Sequence, residues 1–203
     1  MTNKKVLIPI FVMMVMAQLF VPFQMVFTSE GVIADGTEFK LKTQPYDPKD
    51  PFRGNYVRLN FEISRYTSPD STGWKKGEPV YVILRENTNG FGEILRVIQF
   101  EPGSSLDYLE ATLSNFYQTD SGTELVLDFP FERFYMQEEK APIAERIYNR
   151  STRDSTKQTY ALVSVREGEA ILRDVQIDGV SLSELAAQEL VEKGDASETQ
   201  SNE

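Results

Sequence analysis

The sequence contains neither cysteine nor histidine, and both absences narrow the chemistry available to it. Without cysteine, the chain forms no disulfides and no thiolate metal sites, so its fold must be stabilised by packing. Without histidine, it lacks the commonest general base near neutral pH and the commonest transition-metal ligand. Any reaction would have to use Asp, Glu, Lys, Tyr or Ser side chains.

Basic residues are scarce relative to acidic ones, with 21 Lys and Arg against 31 Asp and Glu, which gives a net charge of -10. Nucleic acid and anionic lipid repel such a chain unless a local basic patch overrides the total charge, and the sequence shows no such patch. We therefore expect no nucleic-acid partner. A length of 203 residues, 40% of them hydrophobic and 26% charged, indicates one globular domain with appendages.

Charge is missing altogether from residues 6–27, "VLIPIFVMMVMAQLFVPFQMVF". At about 1.5 Å per residue this run reaches the ~30 Å thickness of a bilayer's hydrocarbon core, so it predicts a transmembrane anchor. A cleaved signal peptide is one alternative, but no small-x-small cleavage site follows and the run is long for a signal peptide. A buried core helix is the other, although the apolar side chains surround the helix instead of forming one stripe.

The charges on either side of the run orient the chain. Lys4 and Lys5 precede it, and Glu30 and Asp35 follow it. The positive-inside rule then places the bulk of the protein outside the cytoplasm, with residues 6–27 in the lipid bilayer. If the source is bacterial, this location is the periplasm or the cell exterior.

The predicted domain organisation has five parts. They are a cytoplasmic N-terminus at 1–5, the anchor at 6–27, a linker at 28–36, an extracytoplasmic domain at 37–192 and a disordered acidic tail at 193–203. The tail is predicted to be disordered because its end, "DASETQSNE", is acidic and polar.

Alternation of apolar and polar residues predicts several short strands in the domain. Strand patterns occur in "GTEFKLKT", in 56–63, and in the hairpin pairs "PVYVILR"/"GEILRVIQF" and "TYALVSV"/"EAILRDVQI", joined through Asn89-Gly90 and Glu167-Gly168. "SLDYLEATLSNFY" fits a strand or a helix, and the turn at 120–122 favours a strand. "APIAERIYNR" and "SLSELAAQELVEKG" predict helices. The predicted fold class is therefore mainly β (α+β). The chain is expected to begin with a transmembrane helix, which is followed by an antiparallel β-meander or a small barrel-like domain with one or two short helices.

The stretch "DPKDPFRGNYVRLNF", 47–61, holds the candidate site residues. The carboxylates of Asp47 and Asp50 could bind a hard cation such as calcium. A stiff Asx-Pro turn is the competing interpretation, and we favour it because calcium requires six or more oxygen ligands and no Asp-x-Asp-x-Asp-Gly loop is present. We predict no metal site.

The residues after this turn suggest a binding surface. Arg53 either locks the turn through Asp47 or Asp50 or faces outward to receive an anion, and Gly54 turns the chain into the next strand. Tyr56 and Arg58 lie on the strand face opposite Val57, so they pack across strands or form a recognition surface. The candidate binding residues are Asp47, Asp50, Arg53, Gly54, Tyr56 and Arg58.

A second Arg-aromatic combination occurs in "RFY", 133–135. Phe131 and Phe134 are expected in the core, and the remainder is expected to be a covered strand edge.

Three separated segments carry a family resemblance. The first holds Gly54, Asn55, Tyr56, Leu59 and Phe61, within the segment Gly54-Asn55-Tyr56-Val57-Arg58-Leu59-Asn60-Phe61, and the other two are "FPFERFYMQEEKAPIAERIY" and "YALVSVREGEAILRDVQIDG". Together they resemble the GDYXXLXY family of bacterial membrane-anchored proteins, whose motif positions the five residues of the first segment occupy. The chain departs at Asn55, which replaces the motif Asp, and at Phe61, which replaces the second Tyr. The resemblance implies an anchored, extracytoplasmic, β-rich domain, often encoded near multi-pass membrane proteins, and it does not imply an enzyme.

The resulting functional hypothesis is a binding or accessory module for a co-encoded membrane protein or an envelope component. A hydrolase that works without histidine at the membrane surface is one alternative, and a small-ligand sensor with the 47–61 loop as its mouth is another. No nucleophile, base and orienting group can be named together, so we predict no catalytic residues, and we predict no cofactor.

Overall fold

The computed structural model describes residues 4–45, 55–70, 73–103 and 107–200. Within the two terminal helices it does not describe the side chains of 4–7, 21–22, 25–28 and 193–200. Eleven strands, three α-helices and one 3₁₀ turn are present in the described chain. The prediction of a mainly β fold with antiparallel sheets is confirmed.

A five-stranded antiparallel sheet forms the centre of the domain. Its strands are β3 (Arg65–Ser68), β4 (Pro79–Glu86), β5 (Gly92–Ile98), β6 (Tyr108–Thr119) and β7 (Gly122–Asp128), in the order β3-β7-β6-β4-β5. The two outer strands of this order, β3 and β5, contact each other, so the sheet is a nearly closed barrel. This confirms the barrel-like alternative and the strand interpretation of "SLDYLEATLSNFY".

A four-stranded antiparallel sheet packs beside the barrel. It consists of β1 (Thr37–Lys42), β9 (Thr159–Arg166), β10 (Glu169–Ile177) and β11 (Val180–Ser181), in the order β1-β9-β10-β11. Strand β1 pairs with β9, so the ends of the domain meet in one sheet. Because β3 likewise pairs with β7, the strand order is not that of a meander.

The predicted hairpins form at the expected turns. Gly90 has φ 78° between β4 and β5, and Glu167 and Gly168 have φ 49° and 91° between β9 and β10. At the β9–β10 turn, positive φ at both central residues matches the right-handed twist of the paired strands, whereas at the predicted Asn89-Gly90 turn only Gly90 has positive φ. Glycine is favoured there because it adopts positive φ without a steric cost.

The second predicted strand is shorter than 56–63. Strand β2 (Tyr56–Arg58) pairs only with β8 (Arg133–Tyr135), and a 3₁₀ turn, Glu62–Ser64, follows. Even so, the four apolar residues predicted to point one way are all buried: Val57, Leu59, Phe61 and Ile63.

Two helices cover the core. Helix α2 (Ala141–Arg153) buries Ile143 and Ile147 on one face, as predicted, and contacts α3 (Leu182–Gln200). Arg146 of α2 forms a 3.1 Å ion pair with Glu189 of α3. Helix α3 continues past Gly194, where the sequence predicted its end.

The N-terminal segment forms one helix, α1 (Lys4–Asp35), which includes most of the predicted linker at 28–36. Its last turns dock on β9: Val32 is buried, and Arg166 Nη1 lies 2.9 Å from Asp35 Oδ2. Among the residues that the structure describes, no helix combines the length and the apolar character needed to cross a membrane. The predicted transmembrane helix over 6–27 is therefore not supported as part of the fold.

Candidate binding surface

Strands β2 and β8 bring the two Arg-aromatic segments of the sequence together. Their antiparallel register places Tyr56 opposite Tyr135, and Arg58 opposite Arg133. Alternation along β2 buries Val57 completely and leaves its neighbours on the outer face. The same alternation turns Arg133 and Tyr135 outward. We call the four outward residues, Tyr56, Arg58, Arg133 and Tyr135, the Tyr–Arg surface.

The aromatic rings of this surface form a platform for a guanidinium group. The ring centroids of Tyr56 and Tyr135 are 5.5 Å apart, with the planes tilted by 56°. Arg133 Cζ lies 5.2 Å from the centroid of the Tyr56 ring, within the range of a cation–π interaction. Tyr135 is 66% exposed, so the platform is open to a partner.

The two arginines of the surface differ in their charge compensation. Arg58 Nη2 lies 3.5 Å from Glu132 Oε2. Burial raises the pKa of Glu132 above its usual value, and the nearby Asp128 carboxylate acts in the same direction. Arg133 forms no ion pair with any described carboxylate, and its hydrogen bond with Tyr135 raises its pKa. A guanidinium held by rings and lacking a carboxylate can receive an anionic group.

Two of the six predicted binding residues, Tyr56 and Arg58, lie on this surface. The other four, Asp47, Asp50, Arg53 and Gly54, lie outside the described residues, so the turn lock and the anion-binding role of Arg53 stay predictions.

The "RFY" segment was interpreted only in part correctly from the sequence. Phe131 is buried and Phe134 is partly buried, as expected. Arg133 and Tyr135, however, are exposed and not covered. The signal that could have identified them is the alternation itself, since an inward Phe134 requires both of its neighbours to face outward.

The apolar half of the 54–61 motif is structural. Phe61 is fully buried and meets Phe129 and Phe131 edge to face, with centroid distances of 6.0 and 5.3 Å. The Leu59 N–H donates to the Glu132 carbonyl at 2.8 Å. Asn55 uses its backbone carbonyl to accept from Met136 N–H at 3.0 Å, a bond that Asp would make equally well. The motif therefore ties β2 to β8 and to the aromatic core.

The family model described as GDYXXLXY protein matches residues 18–175, which is most of the chain. The chain belongs to the GDYXXLXY family. Neither a curated protein nor a solved structure matches it. In this GDYXXLXY protein, the motif tyrosine Tyr56 is the residue of the motif that the fold turns toward the outer face beside Arg133.

Proposed function

We propose that this GDYXXLXY protein is a membrane-anchored, extracytoplasmic binding module. Its Tyr–Arg surface recognises an anionic segment of a co-encoded membrane protein or of an envelope component. The observation that carries the proposal is Arg133, which stacks on Tyr56 and has no carboxylate partner among the described residues.

The ladder geometry favours an anionic partner. Arg58 and Arg133 are directly opposite each other on paired strands, an arrangement of like charges that is unfavourable. Arg58 contacts Glu132 at 3.5 Å, whereas Arg133 forms no ion pair with a carboxylate of the described residues. A carboxylate or phosphate beside Arg133 relieves the repulsion and gains charge-assisted hydrogen bonds.

The membrane part of the proposal rests on α1. Residues 6–27 carry no charge, and many of the described apolar side chains in this run are strongly exposed: Ile8, Ile10, Phe11, Val12, Met13, Met14, Met16, Leu19, Phe20 and Phe23. So large a contiguous apolar surface is costly in water and favourable in lipid. With Lys4 and Lys5 preceding the run, the domain lies on the extracytoplasmic side.

The hydrolase alternative has no observation in its favour. In the described chain, the hydrogen-bonded serine hydroxyls contact the backbone, Thr119 or Asp174, and none contacts a lysine.

A capture experiment tests the proposed binding. The full chain in detergent micelles is used to capture the membrane protein encoded beside it. Arg133→Ala and Tyr56→Ala should each weaken capture by about tenfold, since loss of a charge-assisted contact costs about 1.5 kcal/mol or more. Arg65→Ala is the matched control, because Arg65 is also exposed, lies on β3 and pairs with Glu124 at 3.1 Å. Its capture should be unchanged.

Thermal unfolding of the same variants separates recognition from stability. Arg133→Ala and Tyr56→Ala should retain the melting temperature of the parent protein, because both side chains lie on the outer face. If Tyr56→Ala unfolds the domain, and residual capture follows the folded fraction, the motif is purely structural and the proposed binding role fails.

A further inference from the structure

A cavity lies on the outer face of the barrel. Along β6, Leu109 and Ala111 point into the barrel, so Tyr108 and Glu110 point outward. The turn of the β9–β10 hairpin covers this outer face. Glu110 N–H donates to the Gly168 carbonyl at 2.9 Å, and Gly168 N–H donates to the Tyr108 carbonyl at 3.2 Å. The turn thereby closes one side of a space above the sheet.

The space, which is partly open to solvent, has a volume of about 470 Å³. This lies within the roughly 300–1,000 Å³ typical of small-molecule sites. Its walls come from β4, β6, the end of β7 and the β9–β10 turn. We call this space the acid–aromatic cavity. Two tyrosines and five carboxylates line it: Tyr81, Tyr108, Glu101, Glu110, Asp128, Glu167 and Glu169.

The tyrosine rings give the cavity a defined wall. Tyr81 and Tyr108 meet edge to face, with ring centroids 5.9 Å apart. Tyr108 is only 4% exposed, and its hydroxyl donates to Glu101 Oε1 at 2.9 Å. Burial raises the pKa of the Tyr108 phenol to about 12, and the bond to Glu101 acts in the same direction. The phenol therefore stays neutral. Tyr81 is only partly buried, so its ring is the one open to a cation.

The carboxylates of the cavity lack cationic partners within the described chain. Elsewhere, arginines pair with acids: Arg58–Glu132, Arg65–Glu124, Arg85–Glu93, Arg146–Glu189, Arg166–Asp35 and Arg173–Glu38. None of the five cavity carboxylates forms such a pair with a lysine or arginine that the structure describes.

We propose that the acid–aromatic cavity binds a short aliphatic diamine or polyamine. Acidic residues alone would form an ordinary solvated surface, and the concave space with its two tyrosines distinguishes this site. The acids come from several elements around the cavity, and among the described residues no three acids are grouped to hold one metal ion. Carboxylates spread in this way suit a ligand whose positive charges are separated along a chain. The methylene groups between those charges pack against the partly exposed ring of Tyr81. This site is independent of the proposed function.

Calorimetric titration of the full chain in micelles with spermidine and with putrescine tests the proposal. We expect saturable binding at one site, tighter for spermidine, and none for the neutral 1,4-butanediol. Glu110→Gln and Glu167→Gln should each weaken spermidine binding about three- to fivefold, the usual effect of one partly solvated charge. Glu138→Gln removes the same charge from an exposed position outside the cavity and should leave binding unchanged.

Tyr81→Leu supplies a second test that removes no charge, and it should also weaken binding. Two outcomes would show nonspecific attraction to an acidic protein and overturn the proposal. One is that Glu138→Gln weakens binding as much as the cavity variants do. The other is that binding is lost when sodium chloride is added to the ionic strength that the polyamine itself contributes. Tighter binding of Ca²⁺ than of spermidine, lost in the same variants, would overturn it in favour of a metal site. Binding of a lysine-rich peptide without binding of free polyamines would overturn it in favour of a protein partner.

Discussion

At the scale of single residues, Gly168 connects the backbone of one hairpin to the wall of a cavity. Its φ of 91° lies in the left-handed region, and a Cβ built on it would lie 3.1 Å from Tyr108 Cε2. The residue at position 168 must therefore adopt a positive φ, which residues with a side chain rarely do, and must also lie close to a buried ring. Few residues other than glycine satisfy both.

Substitution of Gly168 by alanine should destabilise the domain by about 1 to 3 kcal/mol. Gly179 is the matched control, because its φ of 85° is nearly the same and no atom lies within 4 Å of its added Cβ. Gly179→Ala should therefore show the backbone strain alone, and Gly168→Ala a larger loss, both measured as the free energy of unfolding in urea. Equal losses would mean that Tyr108 moves away at no cost.

The side of the chain toward which a residue points was predictable where it follows from the local alternation of apolar and polar residues. The facing of Val57, Leu59 and Phe61 follows from a period of two along one strand. The same rule assigns Tyr108 to the solvent face, yet it is buried, because the turn at Gly168 lies on top of it. That contact joins residues far apart in the sequence, and no local pattern encodes it.

At the scale of elements, β1 is held between two sheets. It pairs with β9 along its whole length and also contacts β5 of the barrel. The contact is closest at Gly92, where an added Cβ would lie 2.8 Å from Leu41 Cδ2 and 3.3 Å from Phe39 Cβ. A side chain at Gly92 would thus separate β1 from the barrel.

A double-mutant cycle measures this contact. Leu41→Ala should cost about 2 to 5 kcal/mol, because Leu41 is fully buried. Gly92→Ala should cost about 1 to 3 kcal/mol by overpacking. In the Leu41→Ala background, Gly92→Ala should cost less, since the methyl group it meets is gone. Gly103→Ala is the control and should be close to neutral, because its Cβ would meet no described residue other than its chain neighbours within 4 Å. Equal costs of Gly92→Ala in both backgrounds would contradict the contact.

The elements show which parts of a fold a sequence encodes locally. The β4–β5 and β9–β10 hairpins were predictable because their turn residues and their alternation lie within a few residues of each other. The pairing of β1 with β9, and of β2 with β8, was not, because strands of similar alternation offer many partners. The Tyr–Arg surface depends on the second of these pairings, so only its Tyr56 and Arg58 half was predicted as a site.

At the scale of the whole molecule, an exposed apolar helix meets an acidic β domain. At the meeting point Val32 is buried, Arg166 Nη1 lies 3.3 Å from the Gly31 carbonyl, and the same atom pairs with Asp35 at 2.9 Å. These contacts come from the last turns of α1, beyond residue 27. We therefore expect the domain to fold without the part of the helix proposed to contact lipid.

Deletion of residues 1–27 should accordingly release a folded, soluble domain. The truncated protein keeps Val32 and Asp35, so its melting temperature should lie within a few degrees of that of the full chain in micelles, where a loss of about 1 kcal/mol corresponds to roughly 2–4 °C for a domain of this size. The full chain should remain in the membrane fraction after alkaline carbonate washing, and the truncated protein should not. A reporter fused after Val180 of the full chain should be active only outside the cytoplasm. If the full chain is washed off membranes, the anchor is contradicted. If the reporter is active inside the cytoplasm, the orientation is contradicted. A truncated protein that aggregates would show instead that the apolar run packs against the domain.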